Sequence, residues 1–273
     1  MNRPGHTGQT TCCHASPGAF PHAACRPSRA LRRSWVGVLC VAIAGCVQLP
    51  APVVEQRVEP TAKAFEPGVD TANSVWHGAH VRFKTPTQYA TSSVAGVPCI
   101  RATANAAWSF WIAPVPAAFA QASTLSWRWH IPALIDGADL AAIGKDDAPA
   151  RMLIAFKGDR SKLDAAERAT MSLAKALGGL ELPYAALQYT IDHKAAPDSL
   201  LPNANTTRIK KIIVQSGTGG LNQWQSFERD VRADFRRAFP GEEPGEIESV
   251  GLMTDTDSLG GVAEACYADV RLR

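Results

Sequence analysis

From Ser74 onward the chain is a succession of short apolar runs punctuated by Gly, Pro, Asn and Asp, and this texture limits the possible folds more than any other feature. Leu125, Trp127, Trp129 and Ile131 stand at every second position. On a strand they share one face, while Ser126 and Arg128 take the other. The pattern predicts nine strands, over 75–83, 97–104, 108–112, 124–131, 151–156, 185–191, 208–215, 247–253 and 263–272. Nine short strands with turn residues between them imply a mainly β fold, a sandwich of two sheets.

Two helices are expected to interrupt the strands. Over 161–177, Leu163, Thr170, Leu173 and Leu177 fall near one face, Asp164 and Glu167 lie in the first turns, and Gly178-Gly179 follow. The second begins with Asn222 as its cap and Gln225 at capping-box spacing. Trp224, Phe227, Val231, Phe235 and Ala238 then recur every three to four residues before Pro240-Gly241.

Residues 29–46, RALRRSWVGVLCVAIAGC, carry a different message. Arg29, Arg32 and Arg33 precede a 12-residue apolar or small stretch, Ser34 to Gly45. That is too short for a spanning helix of about 20 residues and suits the core of an export signal. Ile43-Ala44-Gly45-Cys46 resembles the lipobox of bacterial lipoproteins, which implies cleavage before Cys46 and acylation of its thiol. Residues 1–45 therefore read as a signal peptide, with a start that is longer than usual. Residues 46–73, with Pro50, Pro52, Pro60 and Pro67, read as a lipidated Cys and an extended tether, and residues 74–273 as a single domain. Val47, rather than an Asp, follows the Cys, so the expected location is the outer membrane, facing the periplasm, with the membrane reached through the lipid.

The net charge of +3 misleads for the same reason. Residues 1–45 hold five Arg and no acid, leaving 23 basic and 25 acidic residues in 46–273, so nucleic acid is excluded as a favoured partner. Of seven Cys, Cys12, Cys13, Cys25 and Cys40 belong to the signal and Cys46 to the anchor. Cys99 and Cys266 remain. No C-x-x-C occurs, and in an oxidising compartment these two can pair; the sequence leaves the bridge and a pair of core thiols both open.

Several catalytic patterns are absent. Ser216-Gly217-Thr218-Gly219-Gly220 has the order of a phosphate-binding turn but lacks the Lys of a P-loop and the third Gly of a dinucleotide fingerprint. No G-x-S-x-G or H-E-x-x-H occurs, and His77 and His80 point to opposite faces of a strand. Asp255-Thr256-Asp257 opens like a calcium loop, but Leu259 and Cys266 stand where an EF-hand needs oxygen ligands. Asp255 and Asp257 are therefore expected to centre a looser polar site, with Asp146-Asp147 adjacent and Asp269 a further contributor. Its charge is balanced either by Arg128 and Arg151 or by a structural Ca²⁺ held chiefly by Asp255 and Asp257. The Trp127–Trp129 pair reads as core, with a sugar-stacking platform as the alternative.

These pieces also occur in a recognisable order: Leu125-Ser126-Trp127-Arg128-Trp129, Asp146-Asp147-Ala148, Ala150-Arg151, Asn205-Thr206-Thr207-Arg208, Ile213-Val214-Gln215-Ser216-Gly217, Trp224, Met253-Thr254-Asp255-Thr256-Asp257 and Tyr267-Ala268-Asp269-Val270. In this order the chain resembles the bacterial family called domain of unknown function 3047, over roughly residues 74–273. The ending resembles that of carbohydrate-binding jelly rolls, which implies a jelly-roll-like β-sandwich with two inserted α-helices. The resemblance supplies no catalytic residues. The expected function is non-catalytic binding of a glycan or other envelope ligand. The alternatives are a glycan-acting enzyme using a pair among Asp146, Asp147, Asp255 and Asp257, and a structural partner of an envelope protein. Aromatic side chains beside the acidic cluster would favour binding; two carboxylates facing each other across an open cleft would favour catalysis.

Overall fold

The computed structural model describes residues 63–273. The export signal, Cys46 and most of the expected tether lie outside the described residues. The strands are β1 (His77–His80), β2 (Gln88–Val94), β3 (Val97–Asn105), β4 (Ser109–Pro114), β5 (Thr124–His130), β6 (Ala148–Phe156), β7 (Ala185–Asp192), β8 (Leu200–Pro202), β9 (Ile209–Ser216), β10 (Trp224–Asp230), β11 (Ile247–Asp255) and β12 (Val262–Leu272). They form a seven-stranded sheet in the order β1-β4-β11-β6-β7-β9-β8 and a five-stranded sheet in the order β10-β5-β12-β3-β2. All pairings are antiparallel except β7 with β9. The fold is a mainly β, jelly-roll-like sandwich carrying two helices, α1 (Ala165–Leu173) and α2 (Val231–Ala238).

The alternation along β5 does what its period requires. Leu125, Trp127 and Trp129 are buried, and Trp127 meets Tyr189 of the facing sheet with ring centroids 5.2 Å apart. A sugar platform on Trp127 and Trp129 is thereby excluded, because the two are 1% and 0% exposed. The sheets are also joined by polar bonds. Tyr267 of β12 donates its hydroxyl to the Met253 carbonyl at 2.7 Å and accepts from the Arg151 amide at 3.3 Å. One residue of the five-stranded sheet thus fixes β6 and β11 where they carry the acidic motif.

All nine expected strands are present, and β2, β8 and β10 are additional. β10 corrects the second helix: residues 224–230 pair along β5 from Trp224↔His130 to Asp230↔Thr124. Phe227 packs on Trp127 and Trp129 at 5.2 and 4.7 Å, and this contact outweighs the helical spacing of Trp224 and Phe227. Asn222 makes a turn instead of a cap, with φ +57°. The cap is Asp230, which accepts from the amides of Arg232 and Ala233 and starts α2 seven residues after Trp224. The first helix is shorter than expected: Asp164 caps α1, a π turn (Ala174–Gly178) extends it, and its buried side chains are Glu167 and Met171. Leu173 and Leu177 face outward and exposed.

The domain also begins before residue 74. Phe65 is buried and exchanges two backbone hydrogen bonds with Leu272, so the expected tether ends at least nine residues earlier than the composition suggests. Cys99 and Cys266 form a disulfide between neighbouring strands β3 and β12.

Candidate functional site

Arg151 on β6 and Asp255 at the end of β11 lie on neighbouring strands, and the register that pairs Met253 with Arg151 brings their side chains together. Both point away from the sandwich interior, since Ala150, Met152, Val250 and Leu252 fill the core on the alternate positions. Arg151 donates from Nε and Nη2 to the two Asp255 oxygens, from Nη1 to Gln188 at 3.1 Å, and from Nη2 to the Asp146 carbonyl. The Ala148 amide also donates to Asp255. Burial pushes the Asp255 carboxyl up to about 6 against the pull of Arg151, and Asp255 in turn holds Arg151 above its usual range. At neutral pH the pair is charged.

The neighbouring acids are engaged as well. Asp146 accepts from the buried Lys211 ammonium at 3.0 Å, and Lys211 also donates to the Leu140 carbonyl. Burial opposes the charged form of Asp146, but Lys211 and Arg151 outweigh it and hold this carboxyl below its usual range. Asp147 accepts from the amides of Ser258 and Leu259 at 3.1 and 2.8 Å, which closes the loop after β11 onto the start of β6. Asp257 pairs with Lys84 at 2.7 Å.

Of the residues expected from the sequence, Asp146, Asp147, Arg151, Asp255 and Asp257 form one cluster. Asp147, Asp255 and Asp257 each offer an oxygen within 4.8 Å of the others. Hard oxygens at that spacing suit a calcium shell, yet each carboxylate already accepts from protein donors. Asp269 does not join them. It sits at the bulge of β12 in the other sheet with φ +52° and pairs with Arg128 at 2.5 Å, the guanidinium lying over Trp224. Arg128 is therefore not part of the cluster either. The Gly-rich turn 216–220 joins β9 to β10, two strands, and so lacks the helix that a phosphate turn requires.

The cluster forms one wall of a cleft of about 750 Å³ on the outer face of the seven-stranded sheet. Trp108, Phe110 and Met253 line its floor, and α1 with its π turn forms the opposite wall. Trp108 and Phe110 contact edge to face, with ring centroids 5.0 Å apart. The segment 81–84 closes one end, tied down by the Arg82 amide on the Gly178 carbonyl at 2.8 Å. Lys84, Trp108, Phe110, Gln188 and Lys211 were not among the expected site residues. Trp108 and Phe110 carry a faint signal, two aromatics at strand spacing on a predicted strand; the three polar residues carry none, since they come from separate strands and loops.

No curated protein matches the chain. Among solved structures it is similar to the family 11 carbohydrate-binding module of the cellulosomal cellulase Lic26A-Cel5E of Clostridium thermocellum, at 9% identity, 77% of this chain, 93% of that one and a TM-score of 0.37. The same type of module in complex with a β-1,3-1,4-mixed-linked tetrasaccharide gives 9%, 77%, 93% and 0.39. The xyloglucanase domain of NopAA from Sinorhizobium fredii, in complex with cellobiose, gives 10%, 72%, 93% and 0.38. These likenesses are faint, and the sandwich assignment rests on the chain's own strand order. The sequence match is of another kind: the family model described as protein of unknown function (DUF3047) spans residues 74–271, and the chain belongs to that family.

Proposed function

We propose that this protein is a non-catalytic binding module of the bacterial cell envelope and that the cleft over Trp108 and Phe110 takes a glycan. The observation that carries this reading is the side-by-side placement of the aromatic pair and the Lys84–Asp257 ion pair in one open cleft. Aromatic faces suit the apolar faces of sugar rings, and the ion pair offers a donor and an acceptor to hydroxyls at the ring edge. The engagement of the two buried carboxylates favours binding over hydrolysis, because Asp255 gives both oxygens to Arg151 and Asp147 gives both to backbone amides, while Asp146 and Asp257 each give one oxygen to a lysine. A free acid or base at a reacting bond needs an oxygen that the fold has not already committed.

The envelope assignment rests on the signal, the lipobox and the disulfide. A buried Cys99–Cys266 bridge fits an oxidising compartment. Cys46→Ala should leave the protein soluble or uncleaved, and normal membrane sorting of that variant would overturn the anchor. For the ligand, a glycan array probed with the full chain should show binding that Trp108→Ala weakens by about tenfold at unchanged melting temperature. Equal binding by the variant, or release of reducing ends from a bound glycan, would overturn the reading.

A further inference from the structure

Beside the cleft already described, a second cavity of about 360 Å³ lies on the same strands. The ladder sets the outward residues of β4, β11, β6 and β7 in rungs. Phe110, Met253 and Arg151 make the first, Ile112, Gly251, Leu153 and Gln188 the second, and Pro114, Ser249, Ala155 and Ala186 the third. The cleft lies over the first rung, and the second cavity lies over the other two. The cavities share Phe110, Leu180, Leu182, Gln188 and Ile209, so one groove runs along the strands, walled by the segment from α1 to Pro183. At about 3.3 Å per residue, its floor along β11 from Asp255 to Ser249 is about 20 Å long.

Gly251 stands in the middle of this floor, between Ile112 and Leu153 of the neighbouring strands. Glycine weakens a strand interior and needs a reason there. Its backbone is not left-handed, so conformation is not the reason. No other segment crosses over it: the nearest atoms to a Cβ would be the Leu153 side chain at 3.2 Å and the carbonyl of Trp111 on the adjacent strand at 3.5 Å. What glycine does supply is a low floor close to where the two cavities join. The charge of the lining is mixed throughout. Arg82, Lys84 and Arg151 line the first cavity with Asp146, Asp255 and Asp257, and His77 and Arg160 line the second with Glu181 and Glu248. A charged ligand would gain beside one of these groups and lose beside the next, whereas a hydroxyl donates and accepts and suits both signs. Phe110, Ile112 and Leu153 between them suit the apolar faces of sugar rings.

We propose that the groove binds a linear, uncharged oligosaccharide, several rings long and laid along β11, with Gly251 as the point of closest approach. The inference rests on the glycan-binding reading of the first cleft and adds the class and length of the ligand. One or two rings would fill the first cavity alone and leave both the second cavity and the glycine without a role.

The test uses the full chain and isothermal titration calorimetry with cello-, malto- and N-acetylchito-oligosaccharides of two to six rings. In at least one series the affinity should rise about tenfold or more from two rings to six. Gly251→Val raises the floor, and Ala155→Leu narrows the groove from the next strand; both positions line the second cavity and not the first. Each variant should lower the six-ring affinity about tenfold, to near the two-ring value. Should Gly251→Val fail to fold, as its melting curve would show, Ala155→Leu decides. Wild-type six-ring affinity in a folded variant overturns the groove. Equal affinity at every length overturns it while the glycan reading stands, and so does array binding confined to charged or branched glycans. No binding by any of the three series or by any glycan of the array overturns both.

Discussion

Arg151 grips both carboxylate oxygens of Asp255, from Nε and Nη2 at 3.1 Å each, with the two side chains only 2% and 4% exposed. Such a pair adds little net stability over an apolar replacement, but removing one partner strands the other. Asp255→Ala should therefore destabilise the domain by about 3–5 kcal/mol, and the Arg151→Met, Asp255→Leu double variant should recover much of that loss. Urea denaturation of the three variants measures this directly; an additive double variant would show that the two residues are not coupled.

The same pair makes stability depend on pH with an unusual sign. Asp255 titrates at about 6 when folded, above its unfolded value near 4. Between those values the folded state holds the extra proton, so this group's contribution is full below pH 4 and is lost as pH rises through 6. Asp146, Glu167 and Glu242 act in the opposite direction. Despite burial, Lys211 and Arg151 hold Asp146 low, and hydrogen bonds from Thr207 and Thr206 hold Glu167 low; a hydrogen bond from Arg208 holds Glu242 low. Their stability is present above about pH 4 and is lost in acid. The denaturation midpoint measured from pH 7 down to 4.5 should contain a rising component that Asp255→Asn removes. Identical pH profiles for the two proteins would contradict this.

Calcium should leave the domain unchanged. Asp146, Asp147, Asp255 and Asp257 face Lys84, Arg151 and Lys211 together with the amides of Ala148, Ser258 and Leu259. Melting temperatures in about 5 mM calcium and in chelator should agree within about 1 °C, because only a cation held by the folded state raises them. A rise with calcium concentration would put an ion between Asp147, Asp255 and Asp257.

Breaking the disulfide should cost about 2–5 kcal/mol, the range for a native bridge that closes a long loop. The Cys99–Cys266 bridge encloses a separation of 167 residues and joins the outer half of the five-stranded sheet to the C-terminal strand. Cys99→Ser with Cys266→Ser, followed by guanidinium, gives the value. No loss of stability would mean that β3 and β12 are held by their ladder alone.

How much of this was legible in the sequence differs by element. Strands with a strict period of two, such as β5, stood out because one face is buried and the other is not. β2, QYATSSV, did not, because an edge strand with few apolar residues looks like a loop. β10 was misread because Trp224 and Phe227, three apart, fit a helix, and only pairing with β5 decides otherwise. The acidic cluster could be read from Asp146-Asp147 and Asp255-Thr256-Asp257, which end neighbouring strands. Lys211 and Lys84 could not, since a buried ammonium and an exposed one look alike in sequence. Asp269 was misplaced because β12 belongs to the five-stranded sheet, away from the cluster, where a bulge turns it toward Arg128 of the neighbouring β5.

The two core tryptophans allow a sharper test than their burial alone. Replacing either by Ala should cost about 3–5 kcal/mol, as for any large buried aromatic. Replacement by Phe separates them. Trp129 donates its indole N–H to Gln215 at 2.8 Å, whereas the buried indole N–H of Trp127 has no partner. Trp127→Phe removes a polar group that was never paired and keeps ring contacts with Tyr189 and Phe227. Trp129→Phe removes a made bond and leaves the Gln215 oxygen without its donor. An unsatisfied buried acceptor costs about 1–3 kcal/mol, so Trp129→Phe should be the more damaging of the two by roughly that amount. Guanidinium midpoints of the two Phe variants, measured with the disulfide intact, check the order; equal losses would mean that Gln215 finds another donor when the indole is gone.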